Sequence, residues 1–163
     1  MLRTVLAVPA LILLVPVTAF GQQSLEGAWK AVETSITTPD SSWTVPASQP
    51  SLYIFAGQHY SMMFVLGTEP RQFFTGDAPI VGSLEPTDAE KVAAFDSFVA
   101  NSGTYEVSGS KLTTRPMVAK NPNFMSGGSV THTYRIDGNN LWLTVTYPWN
   151  EGTEYNIKLT RLE

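Results

Sequence analysis

Run after run of this chain alternates apolar with polar residues, and several of the runs are only two residues apart. In the run 59–66, Tyr60, Met62, Phe64 and Leu66 fall on one side while His59, Ser61, Met63 and Val65 fall on the other. A period of two marks a strand with one buried face, because successive side chains point to opposite sides of the pleat. The gaps Gly57-Gln58, Ser108-Gly109 and Gly138-Asn139 are short enough for tight hairpins, so the strands they join are antiparallel neighbours. Strands are expected over 25–34, 51–56, 59–66, 104–107, 111–119, 129–137, 140–147 and 153–162. About eight strands joined in sequence predict an all-β fold, an up-and-down antiparallel barrel that closes on itself.

Two stretches break the alternation, 37–50 and 67–85. The first carries Pro39, Pro46 and Pro50, and proline has no N–H to give a ladder, so no central strand is expected there. Only one segment reads as a helix. Thr87-Asp88-Ala89-Glu90 fits a capping box, Val92, Phe95, Phe98 and Val99 follow at helical spacing, and Asn101-Ser102-Gly103 supplies a stop. Its single apolar stripe is expected to lie against the rest of the fold.

The N-terminus has a different character. Arg3 is followed by an apolar run over 5–17, interrupted by Pro9 and Pro16, and then by the small-x-small triplet Ala19-Phe20-Gly21. That combination predicts a secretory signal peptide, too short to span a bilayer comfortably, with cleavage after Gly21 leaving one domain over 22–163. A bacterial chain with this leader is expected in the periplasm or secreted. It contains no cysteine, which excludes disulfides, thiol chemistry and a cysteine-attached lipid.

Charge and composition exclude further classes. The net charge is −4, and Arg3 is the only charge in the leader, so the remainder carries −5 with no basic cluster; nucleic acid is not an expected partner. Two histidines and no cysteine cannot build a structural site of three or four nitrogen and sulfur donors, so no metal is expected. No phosphate-binding glycine loop, dinucleotide fingerprint or Gly-x-Ser-x-Gly elbow occurs, and no cofactor is expected.

Candidate site residues come from the faces that point inward. Four Trp, six Tyr and eight Phe are enough to fill a core and still line a cavity. Tyr60, Met62, Phe64, Tyr105, His132, Tyr134 and Tyr147 would place polar tips among apolar walls, a mixture that resembles a ligand pocket more than a dry core. Glu33 shares the alternation of Trp29 and Ala31; facing inward, it would pair with Arg115 or act as a proton acceptor, whereas at the rim it would be solvated. The direction of Arg115 stays open, because Pro116 can introduce a bulge that shifts the register. Trp43 and the stretch Tyr147-Pro148-Trp149 either shade the barrel mouth or plug it.

Gly27-Ala28-Trp29 on the first strand, with Arg161 on the last, resembles the lipocalin signature, in which the Trp closes one end of the barrel and an Arg packs across it. The stretches "LEGAWKAVE", "LYIFAGQHYSMMF", "TDAEKVAAF", "GTYEV", "NPNF" and "RIDGNNLWLT" resemble, in that order, the bacterial lipocalin-like domain family over roughly residues 25–163. The resemblance implies barrel-closing roles for Gly27, Trp29 and Arg161. Members usually carry a histidine pair on the strand after "GTYEV", where this chain has Leu112-Thr113-Thr114-Arg115, so no role of those imidazoles transfers.

Three functions fit. The first is an exported, non-catalytic protein that binds a small hydrophobic or amphipathic molecule inside the barrel, with Glu33 as a polar anchor. The second is an isomerase, hydratase or hydrolase on the same barrel, for which Glu33 with His132 is the only proton-transfer pair to nominate. The third is an envelope interaction or inhibitor protein whose barrel is filled by its own side chains. Pocket volume separates the third from the first two.

Overall fold

A computed structural model describes residues 24–47, 49–75, 85–148 and 150–162. The leader, its cleavage point, part of the loose stretch 67–85 and Trp149 lie outside those residues. The elements are β1 (Gly27–Thr37), β2 (Ser42–Pro46), β3 (Ser51–Ala56), β4 (His59–Val65), α1 (Asp88–Asp96), β5 (Phe98–Ser108), β6 (Lys111–Ala119), a 3-10 turn (Pro122–Met125), β7 (Val130–Asp137), β8 (Asn140–Thr146) and β9 (Glu154–Arg161). All strand pairs are antiparallel, in the order β2-β1-β3-β4-β5-β6-β7-β8-β9, and β1 also pairs with β9, closing the sheet.

The barrel has eight strands although nine elements build it. On the same side of β1, β3 pairs with Gly27–Trp29 while β2 pairs with Glu33–Thr37. The prolines of 37–50 therefore do not abolish a strand, as the sequence suggested; they split one. The Ala47 N–H still reaches the Val32 carbonyl (3.0 Å), and the Ser51 hydroxyl accepts from the Ala31 N–H (2.8 Å), so the break stays pinned to β1. Pro46 is tolerated because β2 is an edge in the sheet order, where a missing N–H breaks no ladder.

The helix also differs from its expected length. Thr87 and Glu90 form the capping box, but the helix stops at Asp96 and the chain enters β5 at Phe98. Phe98 and Val99 pair with Val65 and Phe64 of β4 instead of extending the helical stripe. Pairing along an existing edge overrides a local pattern that only two residues carried. The stripe that remains is not packed: Val92 and Phe95 are 59% and 51% exposed, and α1 has no buried residue.

The two ends of the barrel are built differently. At one, β3–β4, β5–β6 and β7–β8 are joined by Gly57-Gln58, Gly109-Ser110 and Gly138-Asn139, each with its glycine near φ +57°. Glycine at the first loop position suits the tight hairpins whose twist matches the strands; the central turn falls one residue later than expected. β1 begins and β9 ends at this same closed end. The longer connections, among them α1 and the 3-10 turn, gather at the other, open end.

The core follows this division. Leu25, Trp29, Phe55, Tyr60, Leu112, Tyr134, Leu141 and Leu159 pack as one buried cluster, mostly at strand positions near the tight turns. Trp29 is fully buried, and its indole Nε1 donates to the Leu25 carbonyl (2.9 Å). The Arg161 guanidinium sits 4.0 Å from the centre of the indole ring and donates to the carbonyls of Glu26 and Ser24, so one cation both stacks and ties down the N-terminal strand.

Candidate functional site

The open half of the barrel is not filled. A cavity of about 280 Å³ is lined by Met62, Phe64, Phe95, Val99, Ala100, Asn101, Thr114, Pro116, Lys120, Asn121, Phe124, Val130, His132 and Tyr147. Five strands contribute to it or border it: β4 and β5 give one wall, β6 and β7 the facing wall, and Tyr147 follows β8. Asn101, Thr114 and His132 are buried and form its depth, while Phe95, Lys120, Asn121 and Phe124 form its rim. A neighbouring depression of about 420 Å³ under the β6–β7 connection shares Pro116, Asn121, Phe124 and Val130 with it.

The deep wall exists because a bulge and a glycine let β5 and β6 approach. The pairing slips between Ser102 and Gly103, leaving Met117 as the extra residue opposite them. A Cβ at Gly103 would stand 2.0 Å from the Arg115 carbonyl oxygen, so no other residue fits there without moving backbone. Across this joint Arg115 points outward and pairs with Glu106 (2.7 Å), and Pro116 faces the cavity. The question that Pro116 raised over the direction of Arg115 is thereby answered.

The polar groups at the bottom of the cavity are unevenly satisfied. Tyr60 donates its hydroxyl to the Asn101 side-chain oxygen (2.6 Å); burial pushes its pKa up to about 12, against a smaller lowering by the Thr114 hydroxyl. Thr114 donates to the Val130 carbonyl (3.3 Å). Burial likewise raises the pKa of Tyr147, whose ring lies 5.7 Å from that of Tyr155. His132 differs from all of these. It is 8% exposed, its Nδ1 has no hydrogen-bond partner, and burial pushes its pKa down to about 4, so the ring is neutral near pH 7. A neutral imidazole keeps one donor and one acceptor nitrogen, and leaving a buried one unmatched costs roughly 1–3 kcal/mol.

The candidates from sequence separate into two groups. Met62, Phe64, His132 and Tyr147 line the cavity. Tyr60, Tyr105 and Tyr134 belong to the packed closed half: Tyr105 meets Phe55 edge-on at 5.3 Å, and Tyr134 is buried in the core cluster. Glu33 is exposed and stands on the outer face, opposite Lys158 and Pro46 in the register. A bulge between Ala31 and Glu33 reverses the alternation that placed Glu33 with Trp29, so it is not an interior anchor, does not pair with Arg115, and is not brought together with His132.

Asn101, Thr114 and Lys120 are among the lining residues that the sequence did not single out for the site. The first two were legible in principle. Carrying the inward alternation of Tyr105 back through Gly103 reaches Asn101 and Val99, and that of Leu112 carried forward reaches Thr114 and Pro116. Lys120 lies past the end of β6 and had no periodic signal. Trp43 is 45% exposed on β2 and does not line the cavity.

Residues 26–161 match the family model of a lipocalin-like domain. Among solved structures, a lipocalin-like protein from Bacteroides uniformis aligns with a TM-score of 0.44 at 16% identity, covering 85% of this chain and 98% of that one. No curated protein matches. No helix among the described residues is long and apolar enough to cross a membrane, and no group of three or more His, Asp or Glu among them is placed to hold a metal ion.

Proposed function

The chain belongs to the lipocalin-like domain family, and from that premise we propose that it is an exported protein that takes a small hydrophobic or amphipathic molecule into the open half of its barrel. The unpartnered Nδ1 of His132 carries this reading. A cavity walled by Met62, Phe64, Val99 and Val130 favours an apolar body, and a buried ring with an unmatched nitrogen is stabilised by a ligand that brings one hydrogen-bonding group. Its volume, just under the ~300–1,000 Å³ usual for drug-sized ligands, sets the occupant at the small end of that range. Export rests on the leader over 1–21, with Gln22 as the first residue of the mature chain.

Native mass spectrometry of the protein from its own envelope fraction, before and after organic extraction, tests both parts. The expected result is a polypeptide beginning at Gln22 with a mass excess that extraction removes and that added 1-octanol restores. His132→Phe should weaken 1-octanol binding by about fivefold, equivalent to roughly 1 kcal/mol for one lost hydrogen bond. A bare polypeptide that takes up no 1-octanol overturns the binding reading, and a mass that includes residues 1–21 overturns export.

A further inference from the structure

Resting on that reading, we infer that Lys120 is the head-group anchor of the cavity and that it selects anionic amphiphiles: the ammonium at the rim receives a carboxylate while the apolar tail runs inward past Phe64 and Met62.

Among the described residues, Lys120 is the only charged one lining the cavity. It is half-buried at the rim, where its ammonium donates to the Phe95 carbonyl and sits 3.9 Å from the centre of the Phe95 ring. No carboxylate among the described residues lies within ion-pair distance of it; those pairs are Lys91–Asp88, Arg115–Glu106 and Arg135–Asp137. Arg71 and Arg161 are supplied in the same way, with carbonyls and an aromatic face, but neither lines the cavity, so of these three cations Lys120 alone is placed to meet an occupant. An ammonium has three donors, and the Phe95 carbonyl takes one. The remaining two can meet both oxygens of a carboxylate, and charge-assisted bonds of that kind are about twice as strong as neutral ones. Volume fits the class as well. At roughly 30 Å³ per non-hydrogen atom, the share of a water molecule, the cavity holds about ten such atoms, the size of octanoate.

The direction of the tail follows from the walls. In register Phe64 stands level with Val99 towards the open end and Met62 level with Asn101, and the neutral polar groups of Asn101, Thr114 and His132 are the buried part of the lining. Those groups accept or donate hydrogen bonds but carry no charge near pH 7, so they give an anionic head no counter-charge. A neutral head group meets His132 at the bottom, whereas an anionic one finds its counter-charge, among the described residues, at the rim, so octanoate lies reversed relative to 1-octanol.

Calorimetric titration with octanoate, 1-octanol and octylammonium, three probes of one chain length and different head charge, tests the assignment at pH 7.5. Octanoate should bind about tenfold more tightly than 1-octanol, with octylammonium weakest. Lys120→Met, which keeps the aliphatic stem, should bring octanoate down to the level at which the same variant binds 1-octanol. Lys120→Arg, which keeps the charge, should retain the preference, and far-UV circular dichroism checks that both variants fold. Equal binding of octanoate and 1-octanol by the unaltered protein, or a preference that survives in Lys120→Met, overturns the role of Lys120 and leaves the binding function standing. Failure of both octanoate and 1-octanol to bind overturns that function, and this inference with it.

Discussion

The two ends of the barrel solve opposite problems. At the closed end every feature shortens and fixes: three glycine-led turns two residues long, a fully buried Trp29, and an Arg161 that stacks on the indole while holding two carbonyls of the N-terminal strand. At the open end the connections are long, the helix has no buried residue, and one nitrogen of a buried imidazole, His132 Nδ1, lacks a partner. Stability is concentrated where the sheet is stitched. The proposed binding falls where packing is left incomplete, as expected if cohesion and access are divided along a barrel axis rather than mixed.

The largest test of this division is Trp29→Ala. Removing a fully buried indole and leaving its space empty should cost about 3–5 kcal/mol, read from urea unfolding of the unaltered and substituted chains. A loss under about 1 kcal/mol would mean that the closed end does not carry the fold. Once Trp29 is gone the Arg161 guanidinium also loses its stacking face, so Arg161→Met should cost much less in the Trp29→Ala background than alone.

The open end makes a different prediction, that it holds a stability liability which acid exposes. The pKa of His132 falls from an ordinary 6.5 to about 4 on folding, so between those values the unfolded chain binds the proton more readily. Stability from this group is therefore fully present above about pH 6.5, declines as pH falls, and stops declining near pH 4, where the folded ring also becomes charged. The full span corresponds to roughly 3 kcal/mol. Urea midpoints from pH 7 to pH 4 should fall more steeply for the unaltered protein than for His132→Gln, which cannot titrate. Parallel profiles would show that the ring is solvated or partnered in solution.

The same division decided how much of the molecule was legible beforehand. Closed-end features are local: Gly57 and Gly138 sit between alternating runs, and Gly27, Trp29 and Arg161 mark the seam between first and last strands, so sequence periodicity reached them. The open-end errors share one cause, a change of phase with no marker in the sequence. At Glu33 a bulge with no glycine or proline reverses inside and outside. At Phe98 and Val99 pairing with β4 turns a helical spacing into a strand, and this hid Asn101 on its inner face. The split strand at Pro46 and Pro50 was read as its interruption alone, because β2 pairs with β1 only beyond the point where β3 leaves it. Lys120 owes its place to a fold-level coincidence, the end of β6 arriving beside the C-terminal turn of α1, which no window of sequence contains.

The smallest expected effect sharpens the comparison most. Phe95 is an aromatic residue on a helix with no buried residue, 51% exposed, lining the cavity and with its ring centre 3.9 Å from the Lys120 ammonium. If the open end contributes binding and not cohesion, Phe95→Ala should leave the unfolding free energy from urea within about 0.5 kcal/mol of the unaltered protein, the range of an ordinary surface change. Alanine's higher helix propensity offsets part of the lost contact. The same substitution should nevertheless weaken 1-octanol severalfold, because it removes apolar wall from the rim. A destabilisation above about 2 kcal/mol would place α1 in the core in solution and dissolve the distinction between the two ends, while unchanged 1-octanol affinity would take Phe95 out of the wall. The informative quantity is the ratio of the two effects: Trp29 and Phe95 are both aromatic and both meet a cation, and only the end of the barrel on which each stands predicts that one governs folding and the other occupancy.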